Sequence, residues 1–268
     1  VGASFGRGFF VLDDYSALRE MTPENLSKKG KLFKPRDAKL FKPRNSLGNT
    51  GGQFYTAKNP EYGAVFTYNL NDVPKTSKSL RMQRERKLNT DNKDVPFPGY
   101  DKLADEMNEK PASIILTIKD SEGNHIRNIK KNASNGSSRI AWNLRHQSYY
   151  PIRAGRAQAN SWFNPSGPYV TPGEYHAEIY LENNGSVEKL DGPIAFNVKP
   201  LRKGTLEGAS YNEYNSFRTR VSNLYVAMSK YQDEFNMMKS KIELLDKAAL
   251  QLETFSPEIM KKISDFKA

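Results

Sequence analysis

Between Pro111 and Lys199 apolar and polar residues alternate through several short runs separated by turn residues. Successive side chains of a strand point to opposite faces of a sheet, so each run has one face to bury. Ile114, Leu116 and Ile118 form one such set, Ile140, Trp142 and Leu144 a second, and Tyr175, Ala177, Ile179 and Leu181 a third; Ile194, Phe196 and Val198 mark the last strand. Asp120 to Asn124 and Pro172-Gly173 supply turn chemistry between them. Upstream, Ala64, Phe66, Tyr68 and Leu70 alternate in the same way and join the set. Period-two runs bounded by Gly, Asn and Pro predict an antiparallel all-β sandwich.

After Pro200 the period changes. Phe217, Val221, Leu224, Met228, Tyr231, Phe235, Met238, Ile242, Leu245, Ala249 and Leu252 are spaced alternately by four and three, a sustained heptad seam. No Gly or Pro occurs from Ala209 to Ser256, so one helix of about 60 Å is expected at roughly 1.5 Å per residue. Ser256-Pro257-Glu258 restarts a helix, with Ser256 as N-cap and Pro257 at the first position. The residues after Pro257 are too few to cover the whole seam. Its cover is a continuation beyond Ala268, a second copy of the chain, or the sandwich.

The remaining segments read as edges, loops and an insertion. Val1 to Asp14 reads as an inner strand of a sheet that is mostly absent, which suits a chain lacking its natural beginning. Lys31-Leu32-Phe33-Lys34-Pro35-Arg36 recurs as Lys39-Leu40-Phe41-Lys42-Pro43-Arg44, and both copies read as edge or connecting strands ended by Pro. Residues 45–60 read as an exposed loop. Residues 72–110 read as a surface insertion with a basic stretch and a short acidic helix around Leu103 to Met107. Between Gln147 and Pro172 the aromatics Tyr149, Tyr150, Trp162, Phe163 and Tyr169 lack periodicity. They either stack on sugar rings or anchor a protein partner, or pack beneath their own loop.

Composition removes several function classes. The formal charge of +11 is spread along the chain among 30 acidic residues, a solvated surface rather than a nucleic-acid footprint. There is no cysteine, so disulfides and thiolate metal sites are excluded. His125, His146 and His176 stand apart, without zinc-ligand spacing. No phosphate-binding loop or Gly-x-Ser-x-Gly turn occurs, and no EF-hand spacing supports calcium. No apolar run is long enough to cross a bilayer. These residues offer neither a catalytic constellation nor a cofactor or metal site.

Phe5-Gly6-Arg7-Gly8-Phe9-Phe10-Val11-Leu12-Asp13-Asp14, with Ala17-Leu18-Arg19, resembles the closing strand of the β-propeller in bacterial Asp-box (BNR-repeat), VPS10 (sortilin)-like proteins often named glycosyl hydrolases. Leu40 to Arg44, Tyr62 to Tyr68, Thr117 to Asn124, Trp142 to Arg145 and Val170 to Tyr175 resemble, in that order, the tail that follows such a propeller. The sandwich is also similar to the immunoglobulin-like domain of flagellar hook-capping proteins, through its Asp-x-x-Gly turn and Trp strand. The resemblance implies a secreted, periplasmic or cell-surface bacterial protein, and carries no catalytic residue onto this chain. The Asp-box pattern Ser-x-Asp-x-Gly-x-x-Trp is missing from it.

The expected architecture is mostly β with an α-helical C-terminus: an antiparallel immunoglobulin-like β-sandwich followed by a long heptad-patterned helix. Residues 1–30 would be the remnant of a last blade and its connector, 31–200 the sandwich, and 201–268 a truncated helical segment. The expected role is a non-catalytic structural and protein-interaction module whose helix meets a protein partner or missing parts of the same protein. The alternative is a carbohydrate-binding accessory domain with a glycan as ligand.

Overall fold

A computed structural model describes residues 2–6, 8–43, 59–149, 167–202, 204, 207–253 and 256–267. Two short strands open the chain, β1 (Gly2–Ser4) and β2 (Gly8–Phe10), followed by a 3-10 turn at Ser16–Arg19 and the single-turn helix α1 (Pro23–Ser27). Then come β3 (Gly30–Leu32), β4 (Ala38–Leu40) and β5 (Ala64–Leu70), and the inserted helices α2 (Ser77–Thr90) and α3 (Tyr100–Asn108). The strands β6 (Ser113–Asp120), β7 (His125–Asn132), β8 (Gly136–Trp142), β9 (Gly173–Asn183) and β10 (Ser186–Pro200) precede the helices α4 (Tyr211–Ala249) and α5 (Pro257–Lys267).

Each period-two run becomes a strand with its apolar face inward. One sheet has the order β4-β10-β9-β6-β7 and a second the order β3-β5-β8. Leu32, Phe66, Tyr68, Ile140 and Trp142 from the smaller sheet share one core with Ile114, Leu116, Ile118, Ala177, Ile179 and Phe196 from the larger. Phe66 meets Phe196 edge to face at 5.1 Å between ring centroids, and Trp142 lies 5.5 Å from Tyr175 and 6.0 Å from Phe196. Aromatic pairs in this geometry add to the area they bury, so these rings tie the two sheets together. Asn184 and Gly185, at φ 48° and 82°, turn β9 into β10. That is the two-residue hairpin geometry that Asn-Gly favours.

The structure departs from the expected architecture in three places. The β4–β10 pair is parallel, so the sandwich is not wholly antiparallel. The repeat that contains Lys31 and Lys39 accounts for this, because its two copies enter different sheets: β3 pairs with β5, and β4 lies along the far edge beside β10. Strands β1 and β2 pair antiparallel, with Gly2 opposite Phe10, rather than forming one inner strand. Gly6 at φ 71° lies in the connection between β1 and β2. Among the described residues helix and strand take comparable shares, 36% and 31%: sandwich-like sheets plus helices, where the expectation was mostly β.

The insertion between β5 and β6 is a helical pair. Thr76 caps α2 by accepting a hydrogen bond from the Ser79 backbone N–H. Arg81 fixes α2 to α3 through a two-pronged bond to Glu106, at 2.8 Å from Nε and 2.8 Å from Nη2, and it also reaches Glu85. The chain divides into two compact units. The first holds the sheets and the insertion, and the described elements of the second are α4 and α5.

Candidate interaction surfaces

Helix α4 forms because its sequence has a strong start and no internal breaker. Ser210 accepts from the Glu213 backbone N–H, and Glu213 accepts in return from the Ser210 N–H, so two of the helix's orphan donors are satisfied. The hydrogen bonds from Ser210 hold the Glu213 carboxyl below its usual range. Thirty-nine residues then run without Gly or Pro, about 58 Å at 1.5 Å per residue. The heptad seam lies along one side, and Phe217, Val221, Leu224, Met228, Tyr231, Phe235 and Met238 are 48–69% exposed. Ile242 is half-buried. On an adjacent face Ser222 and Ser229 are buried, and the Ser222 hydroxyl donates to the Arg218 carbonyl at 2.8 Å.

Helix α5 folds back over the C-terminal end of this seam. Ile259, Ile263 and Phe266 face Leu245, Ala248, Ala249 and Leu252 around an apolar cleft of about 330 Å³. Ala249 and Ile263 are buried there, while Leu245 and Leu252 keep 59% and 50% of their surface exposed. The seam is therefore covered in part at its last heptad and open from Phe217 to Met238.

The aromatic segment is described only at its two ends. Tyr149 is half-buried, and Tyr150, Trp162 and Phe163 lie outside the described residues. Tyr169 is built into the first unit: the Arg145 guanidinium stands 3.8 Å over its ring, and Tyr62 meets it edge-on at 6.2 Å. Arg145 also donates from Nη1 to the Gly167 carbonyl at 2.9 Å. The Tyr62 hydroxyl donates to the Phe41 carbonyl at 2.6 Å, and burial raises its pKa above the usual phenol value. A ring stacked under a guanidinium has one face already used, so Tyr169 serves to anchor the chain between β8 and β9.

Two polar features were not read from the sequence. An open groove of about 1040 Å³ runs between the segment at Asp13-Asp14 and the edge of the sandwich, lined by residues of both charges that include Arg36, Asp37, Glu61, Lys131 and Arg139. Arg36 and Arg139 donate to the carbonyls of Asp13 and Asp14, each at 3.0 Å, and so strap the segment that follows β2 to the sandwich. On the outer face of β9, Glu178 accepts from Lys119 at 2.7 Å, Lys189 at 2.6 Å and the Tyr180 hydroxyl at 2.8 Å. Burial opposes its charge, but these three donors outweigh that and bring its pKa down to about 2. Alternation marks such residues only as outward-facing, and their partners come from distant strands.

Among the described residues no three His, Asp or Glu side chains are gathered where a metal ion would bind. His125 lies 2.9 Å from Asn128 and His176 3.6 Å from Glu174, both on outward-facing positions. No helix among the described residues is long and apolar enough to cross a membrane. The chain matches none of the known protein families against which it was compared, and it shows no significant match to curated proteins.

Proposed function

We propose that this chain is a non-catalytic structural and protein-interaction module, in which the sandwich is the rigid support and α4 the docking element. One observation carries this reading: a continuous apolar stripe from Phe217 to Met238, exposed along a well-capped helix. Scattered surface apolar residues need no explanation, but a contiguous patch of this length is the mark of an interaction site. Helix-in-groove and coiled-coil recognition both use anchors at this three-and-four spacing. The resemblance to propeller tails supports placing the module, with an immunoglobulin-like sandwich, at the C-terminus of a larger secreted protein. Of the aromatics on which the glycan alternative rests, Tyr149 is half-buried and Tyr150, Trp162 and Phe163 lie outside the described residues, so no described aromatic of that segment favours it as the exposed stripe favours docking.

Chemical cross-linking in an extract of the source cells tests the reading. Cross-links to a protein partner are expected at Lys239 and Lys241, which flank the seam, and Leu224→Glu with Phe235→Glu should abolish them. Cross-links confined to the sandwich, and unaffected by that double substitution, would overturn it.

A further inference from the structure

We propose that the partner of the open seam is a second copy of this chain, whose α4 lies antiparallel across the first. The inference rests on the reading of α4 as a docking element. Assigning heptad positions from the seam puts Tyr214, Val221, Met228 and Phe235 at a, and Phe217, Leu224, Tyr231 and Met238 at d. In an antiparallel pair an a residue of one helix faces a d residue of the other. Aligning two copies about a two-fold axis near Val226 sets Tyr214 against Met238, Phe217 against Phe235, Val221 against Tyr231 and Leu224 against Met228. Every layer is then filled by apolar side chains, and the smallest, Val221, faces one of the larger rings.

The flanking charges agree with this register. Antiparallel helices bring g positions beside g positions, so Glu213 meets Lys241 and Arg220 meets Glu234 of the other copy, each pair occurring twice by symmetry. Both pairs are of opposite sign, and all four residues are exposed. Among the described residues Glu234 pairs on its own helix with Lys230 at 3.9 Å, a weak surface contact. Sliding the partner by one heptad, so that Met228 faces Tyr231, would put Arg220 beside Lys241 and Arg218 beside Lys239. Like charges there oppose that alignment.

Helix α5 selects the antiparallel orientation over the parallel one. It already lies over Ala249, at the C-terminal end of the seam. A parallel partner would bring both α5 helices to that same end, where each occupies the line the other's α4 must follow. An antiparallel partner overlaps α4 from about Tyr211 to Lys241 and ends before Leu245, so each α5 keeps its place. The seam is then covered along its length, by the partner over its first four heptads and by α5 beyond them.

The absence of native cysteine makes the test direct. Val221→Cys and Tyr231→Cys are prepared separately in the full chain. Sedimentation of the unmodified protein from about 1 to 200 μM is expected to show a monomer–dimer equilibrium. Oxidation should give a disulfide-linked dimer from the mixture of the two variants and little from either alone. Arg220→Glu should weaken the dimer several-fold, and adding Glu234→Arg to it should restore the affinity. Disulfide dimers from each variant alone would overturn the antiparallel arrangement. A monomer at every concentration would overturn the second copy, and hydroxyl-radical labelling of Met228 and Met238 then separates two cases. If the methionines are accessible, the docking reading survives with a different partner; if they are protected in the monomer, both fall.

Discussion

Glu178 shows how a single side chain can be almost closed off on the outside of a sheet. Its partners Lys119 and Lys189 sit on the strands either side of β9, and Tyr180 two residues along supplies a third donor. Glu178→Gln removes the charge those ammonium groups surround and should cost about 1–3 kcal/mol at pH 7, read from denaturant unfolding. Because its folded pKa is depressed to about 2, its stabilisation is fully present above the unfolded value, near 4.3, and is lost as pH falls from there toward 2. The difference between Glu178→Gln and the unmodified protein should therefore shrink between pH 4.5 and 2. Gly63 makes a second residue-scale demand. Its φ is +111°, and a Cβ there would stand 1.9 Å from the Trp142 carbonyl oxygen. Gly63→Ala should cost roughly 2 kcal/mol or more, seen as a lowered Tm. Trp142, Phe66 and Ile179 were legible as core residues because alternation reports which face a side chain takes. The Glu178 cluster was not, because its partners are fixed by strand order, which local pattern does not encode.

At the scale of elements, α4 was the most legible part of the chain. Its period and its lack of breakers both lie within the helix itself; the Ser210-to-Glu213 capping pattern is just as local but was not read. Ser210→Ala should cost about 1 kcal/mol of helix stability, measured as faster amide exchange over the first turn of α4 with exchange in β6 and β9 unchanged. The strands β5, β6, β8, β9 and β10 were legible for the same reason, since each buries one alternating face. The hairpin of β1 and β2 was misread as one strand because the turn at Gly6 interrupts only a few residues, and its exposed Phe5 and Phe10 leave little burial signal. The parallel seat of β4 beside β10 is a long-range pairing, and three residues carry too little pattern to announce it. Of the candidate site, the spacing of the apolar stripe along α4 was legible, whereas the stacking of Arg145 on Tyr169 joins residues 24 apart by number and had no local signature.

At the scale of the whole molecule, the sandwich supplies stability and α4 the proposed recognition. The sandwich buries its rings and aliphatic side chains in one core shared by two sheets, whereas α4 leaves its apolar stripe open, so the two tasks are separable by mutation. Leu224→Glu with Phe235→Glu should leave the unfolding of the sandwich within about 0.5 kcal/mol of the unmodified protein, since exposed positions carry little stability. The net charge of +11 says little about the partner, because residues of both signs are interspersed along the chain. The most direct test of the central claim is hydroxyl-radical labelling of Met228 and Met238, comparing the dilute purified chain with the protein in its native assembly. Both methionines should label readily in the dilute chain and be protected several-fold in the assembly. Equal labelling in the two states would contradict α4 as the docking element.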